Sequence, residues 1–92
     1  MKYTLSPDYS MRKVLDECVI VPIRAEEDGK TRFYNINPTG KIVLDGLGDG
    51  KSLVEISNEI ADKYEVEIEK AQQDVVSFIT EFLTIGIIVA QE

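Results

Sequence analysis

Carboxylates are the side chains of this chain that could do chemistry, because the other reactive types are nearly absent. The 92 residues include 17 acidic and 10 basic residues, one cysteine and no histidine. Without histidine there is no Ser-His-Asp or Cys-His nucleophile, no imidazole base and no zinc site that uses imidazole. The sequence shows no convergent pair of carboxylates for acid–base catalysis, so it predicts no catalytic residue and a protein that is not an enzyme.

Two groups of acidic residues offer the oxygen ligands that hard cations prefer. They are Asp45 with Asp49, and Glu65 with Glu67 and Glu69. A calcium loop needs the pattern Asp-x-Asp-x-Asp-Gly with a closing glutamate, and this chain lacks it. We therefore interpret both groups as solvated acidic surface and predict neither a metal site nor a cofactor.

Two further features look like chemical motifs and have simpler explanations. The glycine-rich run from Gly46 to Gly50 follows a predicted helix, and no Gly-Lys-Ser/Thr comes after it. It therefore predicts a helix end and a turn instead of a phosphate-binding loop. Cys18 begins an apolar segment, which favours a small buried side chain over a reactive thiol. A lone cysteine leaves no internal disulfide and fits a reducing compartment.

The net charge of −7 belongs to one part of the chain. Residues 1–37 hold six basic and six acidic residues, whereas residues 38–92 hold four basic and eleven acidic ones. Nucleic-acid binding depends on basic groups that neutralise phosphates, so this balance argues against it. The sequence contains no 18-residue apolar run and no signal-peptide pattern, which predicts no membrane span and favours the cytoplasm.

The elements that must position any site fall into strands followed by helices, within one domain over residues 1–92. Strands are expected at about 11–15, 18–24 and 30–36, because these segments are rich in β-branched and aromatic residues. Asp28-Gly29 is a strong hairpin signal between the second and third strands. Pro22 cannot donate to a ladder and therefore needs an edge or a bulge.

Helices are expected at about 38–47, 53–64 and 68–85. Asn37-Pro38 is a start signal for the first, and Ser52 with Glu55 forms a capping box for the second. The third carries a wide apolar stripe, made of Ile68, Ala71, Val75, Phe78, Ile79 and Phe82, with Val76 and Leu83 beside it. The order predicts an α+β fold in which a three-stranded antiparallel sheet precedes three helices, similar to a winged helix-turn-helix.

A winged helix raises DNA binding as one function, and an open strand edge raises peptide binding as another. Residues 67–85 present four acidic residues against Lys70 alone, a surface that would repel phosphate. Phe33 and Tyr34 are adjacent in a strand, so one ring must point away from the main core. Spacing alone leaves two readings open, an edge that accepts a peptide strand or an edge that is simply covered.

Four segments in order resemble the PqqD-like family, which comprises pyrroloquinoline quinone biosynthesis protein D and the related recognition elements for ribosomally made, modified peptides. Residues 33–40 (FYNINPTG) are similar to the family's Y-F-x-L-N-x-x-G, and residues 46–56 (GLGDGKSLVEI) to its L-x-D-G-x-x-T-V-x-E-I. Residues 64–79 and 83–88 resemble its Y-x-V…A-x-x-D-V-x-x-F-[IL] and L-x-x-x-G-L-[IL] patterns. Ser52 stands in place of the commoner Thr and Ile36 in place of Leu, and Pro22 is unusual.

This resemblance implies a non-catalytic peptide chaperone. It would bind the leader segment of a precursor peptide as an added strand and present it to a modifying enzyme, such as a radical S-adenosylmethionine protein. The ladder would come from residues 31–35, and apolar leader side chains would enter a groove against the third helix. The implied peptide-binding residues are Thr31, Arg32, Phe33, Tyr34, Asn35, Gln72, Val75, Val76, Ile79 and Phe82.

The alternative is a winged-helix DNA-binding protein or a general protein-interaction module. An open edge strand also allows pairing between two copies, so a homodimer is a further expectation. The acidic helical half should favour a leader with Lys or Arg near its apolar anchors.

Overall fold

A computed structural model of the chain describes residues 2–23 and 33–91. Five strands and three helices follow in the order β1 (Lys2–Leu5), β2 (Tyr9–Val14), β3 (Glu17–Pro22), β4 (Tyr34–Ile36), α1 (Pro38–Gly48), α2 (Leu53–Tyr64), α3 (Ile68–Thr84) and β5 (Ile88–Gln91). The antiparallel sheet β2-β3-β4 precedes the three helices, so the predicted α+β class is confirmed.

The three predicted strands exist, with shifted ends. β2 begins at Tyr9, two residues before the predicted start, and β3 ends at Pro22, two residues before its predicted end. β4 covers only Tyr34–Ile36 among the described residues. Residues 30–32 and the predicted Asp28-Gly29 turn lie outside the described residues.

A second, two-stranded sheet was not predicted. β1 pairs antiparallel with β5, with Tyr3 opposite Ala90 and Leu5 opposite Ile88. The amide of Ser6 then donates to the carbonyl of Ile87 over 2.7 Å. The partners lie at opposite ends of the sequence, and such a distant pairing leaves no local pattern to read.

The helix ends follow the predicted capping residues. The Asn37 side chain accepts a hydrogen bond from the Gly40 amide at 2.7 Å. Ser52 and Glu55 exchange both bonds of the capping box, each at 3.1 Å. α3 ends at Thr84, one residue before the predicted boundary, and Gly86 takes the left-handed conformation, with φ 85°, that closes such ends.

The glycine-rich run has two separate roles. Gly50, with φ 78°, makes the predicted turn after α1. Gly46 is buried inside α1, where a Cβ would stand 2.6 Å from Cγ1 of Ile56, so it lets α1 and α2 approach closely. The run therefore contains the predicted helix end and turn, and the packing role of Gly46 was not predicted.

One core joins the β2-β3-β4 sheet to the three helices. Its buried residues are Ile20, Ile36, Val43, Leu44, Leu47, Ile56, Ile60, Ala71, Val75, Ile79, Phe82, Ile87 and Ile88. Cys18 is half-buried at the margin of this core and carries a free thiol.

Candidate functional site

The outer edge of β4 presents backbone groups that β3 does not use. The amide of Ile23 donates to the carbonyl of Asp8 at 2.9 Å, and this bond continues the β2–β3 register in which Val19 lies opposite Arg12. Because antiparallel hydrogen-bonded pairs alternate, Val19 bonds toward β2, and its neighbours Cys18 and Ile20 bond toward β4. The ladder between β3 and β4 is therefore made by Tyr34 and Ile36.

Asn35 lies opposite Val19 in the non-hydrogen-bonded position, so its N–H and C=O point away from the sheet. By the same alternation Phe33 also turns its backbone outward. Within the described residues no strand lies beyond β4. This edge can accept one more strand.

The side chains of β4 alternate between the core and the opposite face. Ile36 is buried and Tyr34 is half-buried against the core, whereas Asn35 is exposed and Phe33 is 63% exposed. Phe33 is thus the ring that points away from the core. An exposed phenylalanine ring beside an open strand edge is available for contact with an added strand.

α3 approaches β4 through the side chain of Phe78. A Cβ built on Gly40 would lie 2.6 Å from Cε2 of Phe78 and 2.7 Å from Cγ2 of Ile36. The absence of a side chain at Gly40 therefore lets Phe78 of α3 and Ile36 of β4 meet at the start of α1. Phe78 is half-buried and its ring centroid lies 4.3 Å from that of Phe82. Phe78 therefore lies on the β4 side of α3, and the sequence analysis did not include it among the peptide-binding residues.

Of the predicted groove residues on α3, Val75, Ile79 and Phe82 are buried at 0%, 4% and 7% exposure. They form the floor beneath this surface and belong to the core. The stripe pattern contains both kinds of residue, so spacing could not separate Phe78 from its buried neighbours.

Gln72 and Val76 lie on a different side of α3. With Val75 and residues of α2 they line a cavity of about 260 Å³ between the two helices. Val76 precedes Phe78 by two residues, which separates the two side chains by about 160° around the helix axis. The structure brings Tyr34 and Asn35 of β4 together with Phe33, which immediately precedes the strand, and places Gln72 and Val76 away from Phe78. Thr31 and Arg32 lie outside the described residues.

Acidic residues accompany Phe78 along its side of the helix. Asp74 and Glu81 stand four residues before and three residues after it, so they share its face. Nζ of Lys70 lies 3.0 Å from Oδ1 of Asp74; the Lys70 side chain is largely exposed and that of Asp74 is half-exposed. In this solvated setting the ion pair is weak.

The groups with a perturbed pKa lie elsewhere on the surface. A hydrogen bond from the Ser52 backbone lowers the pKa of Glu55, and bonds to Asp45 and Glu59 raise the pKa of Lys41 and Lys51. Each shift has a structural partner in a cap or a surface ion pair.

A larger cavity, of about 580 Å³, lies at the end of the sheet where α1 begins. It is lined by Lys13, Asp16, Glu17, Cys18, Asn35, Ile36, Asn37, Pro38 and Lys41. Through residues 2–23 and 33–91 no three His, Cys, Asp or Glu side chains gather as metal ligands. Over the same residues, every helix is too short or too polar to cross a bilayer.

Two solved structures share this fold. One is described as lasso peptide synthetase B1 complexed with the leader peptide; it has a TM-score of 0.83 and 22% sequence identity, and the match covers 98% of this chain and 100% of that one. The other is described as TbiB1 in complex with the TbiA(beta) leader peptide; it has a TM-score of 0.76 and 18% identity, with 97% and 98% covered. No curated protein sequence matches this chain significantly.

The family profile described as coenzyme PQQ synthesis protein D matches residues 17–88. That span runs from β3 to the first residue of β5 and includes β4, Gly40 and all of α3. Since the match covers most of the sequence, this chain belongs to the PqqD family.

Proposed function

We propose that this protein is a recognition element that binds the leader of a ribosomally synthesised precursor peptide by strand addition to β4. The observation that carries the proposal is the outward-facing backbone of Asn35 on an edge strand, in a fold whose solved relatives are described as complexes with leader peptides. The leader would lie between the β4 edge and the Phe78 side of α3.

Strand addition supplies enough free energy without a catalytic site. The outward N–H and C=O groups of Phe33 and Asn35 offer about four backbone hydrogen bonds, each contributing about 0.5–1.5 kcal/mol. One or two apolar leader side chains buried against Phe33 or Phe78 would add about 1.5–3 kcal/mol each. Association and the ordering of a disordered leader cost several kcal/mol in return. The balance reaches a Kd on the order of micromolar when the hydrogen bonds and two anchors contribute near their upper values.

The proposed contact surface consists of Phe33, just before β4, Tyr34 and Asn35 on β4, and Phe78 on α3. The buried Val75, Ile79 and Phe82 would support it from below. A peptide-binding role for Gln72 and Val76 remains a prediction. The two residues are not part of the proposed surface, because they lie on the α2 side of α3.

The wider role is to present the bound leader to a modifying enzyme, such as a radical S-adenosylmethionine protein, without performing chemistry itself. Cytoplasmic location and pairing of two copies through the β4 edge belong to the same proposal. Leader and second copy would compete for one edge, so a homodimer formed in this way should dissociate on leader binding.

The test is an amide chemical-shift titration of labelled protein with the leader segment of a short peptide encoded beside its gene. We expect shifts concentrated in β4 and on the Phe78 side of α3. Two further versions of that leader are N-methylated, one at its odd-numbered residues and the other at its even-numbered residues. Their affinities for the protein should differ strongly. One version removes the N–H groups that face β4, and the other removes only N–H groups that face solvent.

Equal binding of the two methylated peptides would refute strand addition. The absence of shifts with the unmodified leader would refute leader recognition itself. Competition by duplex DNA at the same amides would favour the winged-helix alternative.

A further inference from the structure

The side of α3 that carries Phe78 alternates acidic and apolar residues. Asp74, Phe78, Glu81 and the C-cap residue Ile85 follow at intervals of four, three and four residues, so they form one stripe along the helix and its C-cap. Asp74 and Phe78 are half-buried, and Glu81 and Ile85 are exposed. We call these four residues the α3 stripe.

Among residues 2–23 and 33–91, the carboxylates of the α3 stripe form few ion pairs. In the described part of the chain the one ion-pair partner of the stripe is Lys70, which bonds Asp74 across the exposed helix surface. The last turn of α3 contains no basic residue, so its C-terminal dipole, which favours cations, lacks a cation from its own helix. A cation supplied by a ligand would therefore meet the carboxylate of Glu81 and the end of the helix together.

We propose that the leader bound by this protein carries Lys or Arg on the face that meets α3, two residues away from an apolar anchor on the same face. The inference rests on the proposed function, since the leader must first lie along the β4 edge. The basic side chains would pair with Asp74 and Glu81 while the apolar anchors contact Phe78 and Ile85.

The dimensions of strand and helix agree with this register. The α3 stripe spans eleven residue steps, or about 16 Å along the helix. Same-face residues of a strand recur every 6.6 Å or so, which places about three to four leader side chains along that length. Alternate basic and apolar residues on one face of the leader therefore match the alternation of the stripe.

The experiment is an mRNA-display selection of random 12-residue peptides on the full protein. Parallel selections use the variant Asp74→Asn/Glu81→Gln and the control variant Asp62→Asn/Glu69→Gln. Both variants remove two negative charges, but Asp62 lies on α2 and Glu69 lies about 180° around α3 from Phe78. Thermal melts establish that each variant is folded.

We expect the wild type and the control to enrich peptides with Lys or Arg two residues from an apolar residue. The Asp74→Asn/Glu81→Gln variant should enrich the apolar residue alone. In a selected peptide, Lys→Gln at that position should weaken binding up to about fivefold at low salt, with a smaller effect at high salt.

Equal basic enrichment on all three proteins, or none on the wild type, would overturn the inference while leaving strand addition intact. Recovery of no peptide, or of peptides that leave the β4 amides unshifted, would overturn the proposed function and the inference with it.

Discussion

Replacement of Asn35 by proline tests whether the β4 edge is the binding element. The Asn35 amide points away from β3, so Asn35→Pro removes a donor that the sheet itself does not use. Proline is tolerated on edge strands when its nitrogen faces outward, and Tyr34 before it is already extended. We expect a folded protein that binds leader poorly.

The expected loss follows from the bonds at this position. The missing N–H removes one leader hydrogen bond, which contributes about 0.5–1.5 kcal/mol. The proline ring occupies the space in which the leader carbonyl would sit, so a second bond of similar strength weakens. A total of about 1–3 kcal/mol corresponds to a Kd raised about 5- to 150-fold.

The assay is calorimetric titration with the leader, next to a thermal melt of each protein. Asn35→Ala is the matched control, because it removes the same side chain and keeps the N–H. The control should retain most of the affinity. Unchanged affinity in a folded Asn35→Pro protein would refute binding through this amide, and an equal loss in both variants would assign the effect to the asparagine side chain.

Three further outcomes follow from the geometry. Gly40→Ala should lower the free energy of unfolding by about 1–3 kcal/mol in a thermal melt, because the new methyl group collides with Phe78 and Ile36; Gly48→Ala, with open space around it, should leave stability equal or higher. Phe33→Ala should change stability by less than about 0.5 kcal/mol, since the ring is 63% exposed, yet weaken leader binding about 5- to 30-fold by titration. The pKa of Glu55 is lowered below its ordinary value of about 4.5, so its stabilising effect is complete above that pH and lost as pH falls through the folded pKa. Denaturation at pH 6 and pH 3 measures the free energy of unfolding of the wild type and of Glu55→Gln. The difference between the two proteins should be smaller at pH 3 than at pH 6, and an equal difference at both pH values would contradict a stabilising charge at this cap.

Much of the fold was readable because its signals are local. Asn37-Pro38 and the Ser52/Glu55 pair act within one helical turn, and they start α1 and α2 where predicted. The alternation in β4 likewise predicted that Phe33 and Tyr34 face opposite ways. These patterns depend on neighbours in sequence, so they hold before any tertiary contact forms.

The family pattern also predicted the right protein family, but it did not predict which residues of α3 form the surface beside β4. The stripe on α3 could not say that Val75 is core, that Phe78 faces β4 or that Val76 faces α2. The sequence shows one apolar face on the helix. In the folded protein, different elements pack against different parts of that face.

The sequence by itself determined the order of β2, β3, β4 and the three helices, the helix caps and the absence of histidine chemistry, because each depends on residue type and short spacing. The tertiary structure alone decided the pairing of β1 with β5, the close approach at Gly46 and the meeting of Phe78 with Ile36 over Gly40. These contacts join residues far apart in the chain, and only the packed arrangement of elements selects among the partners that each apolar side chain could have.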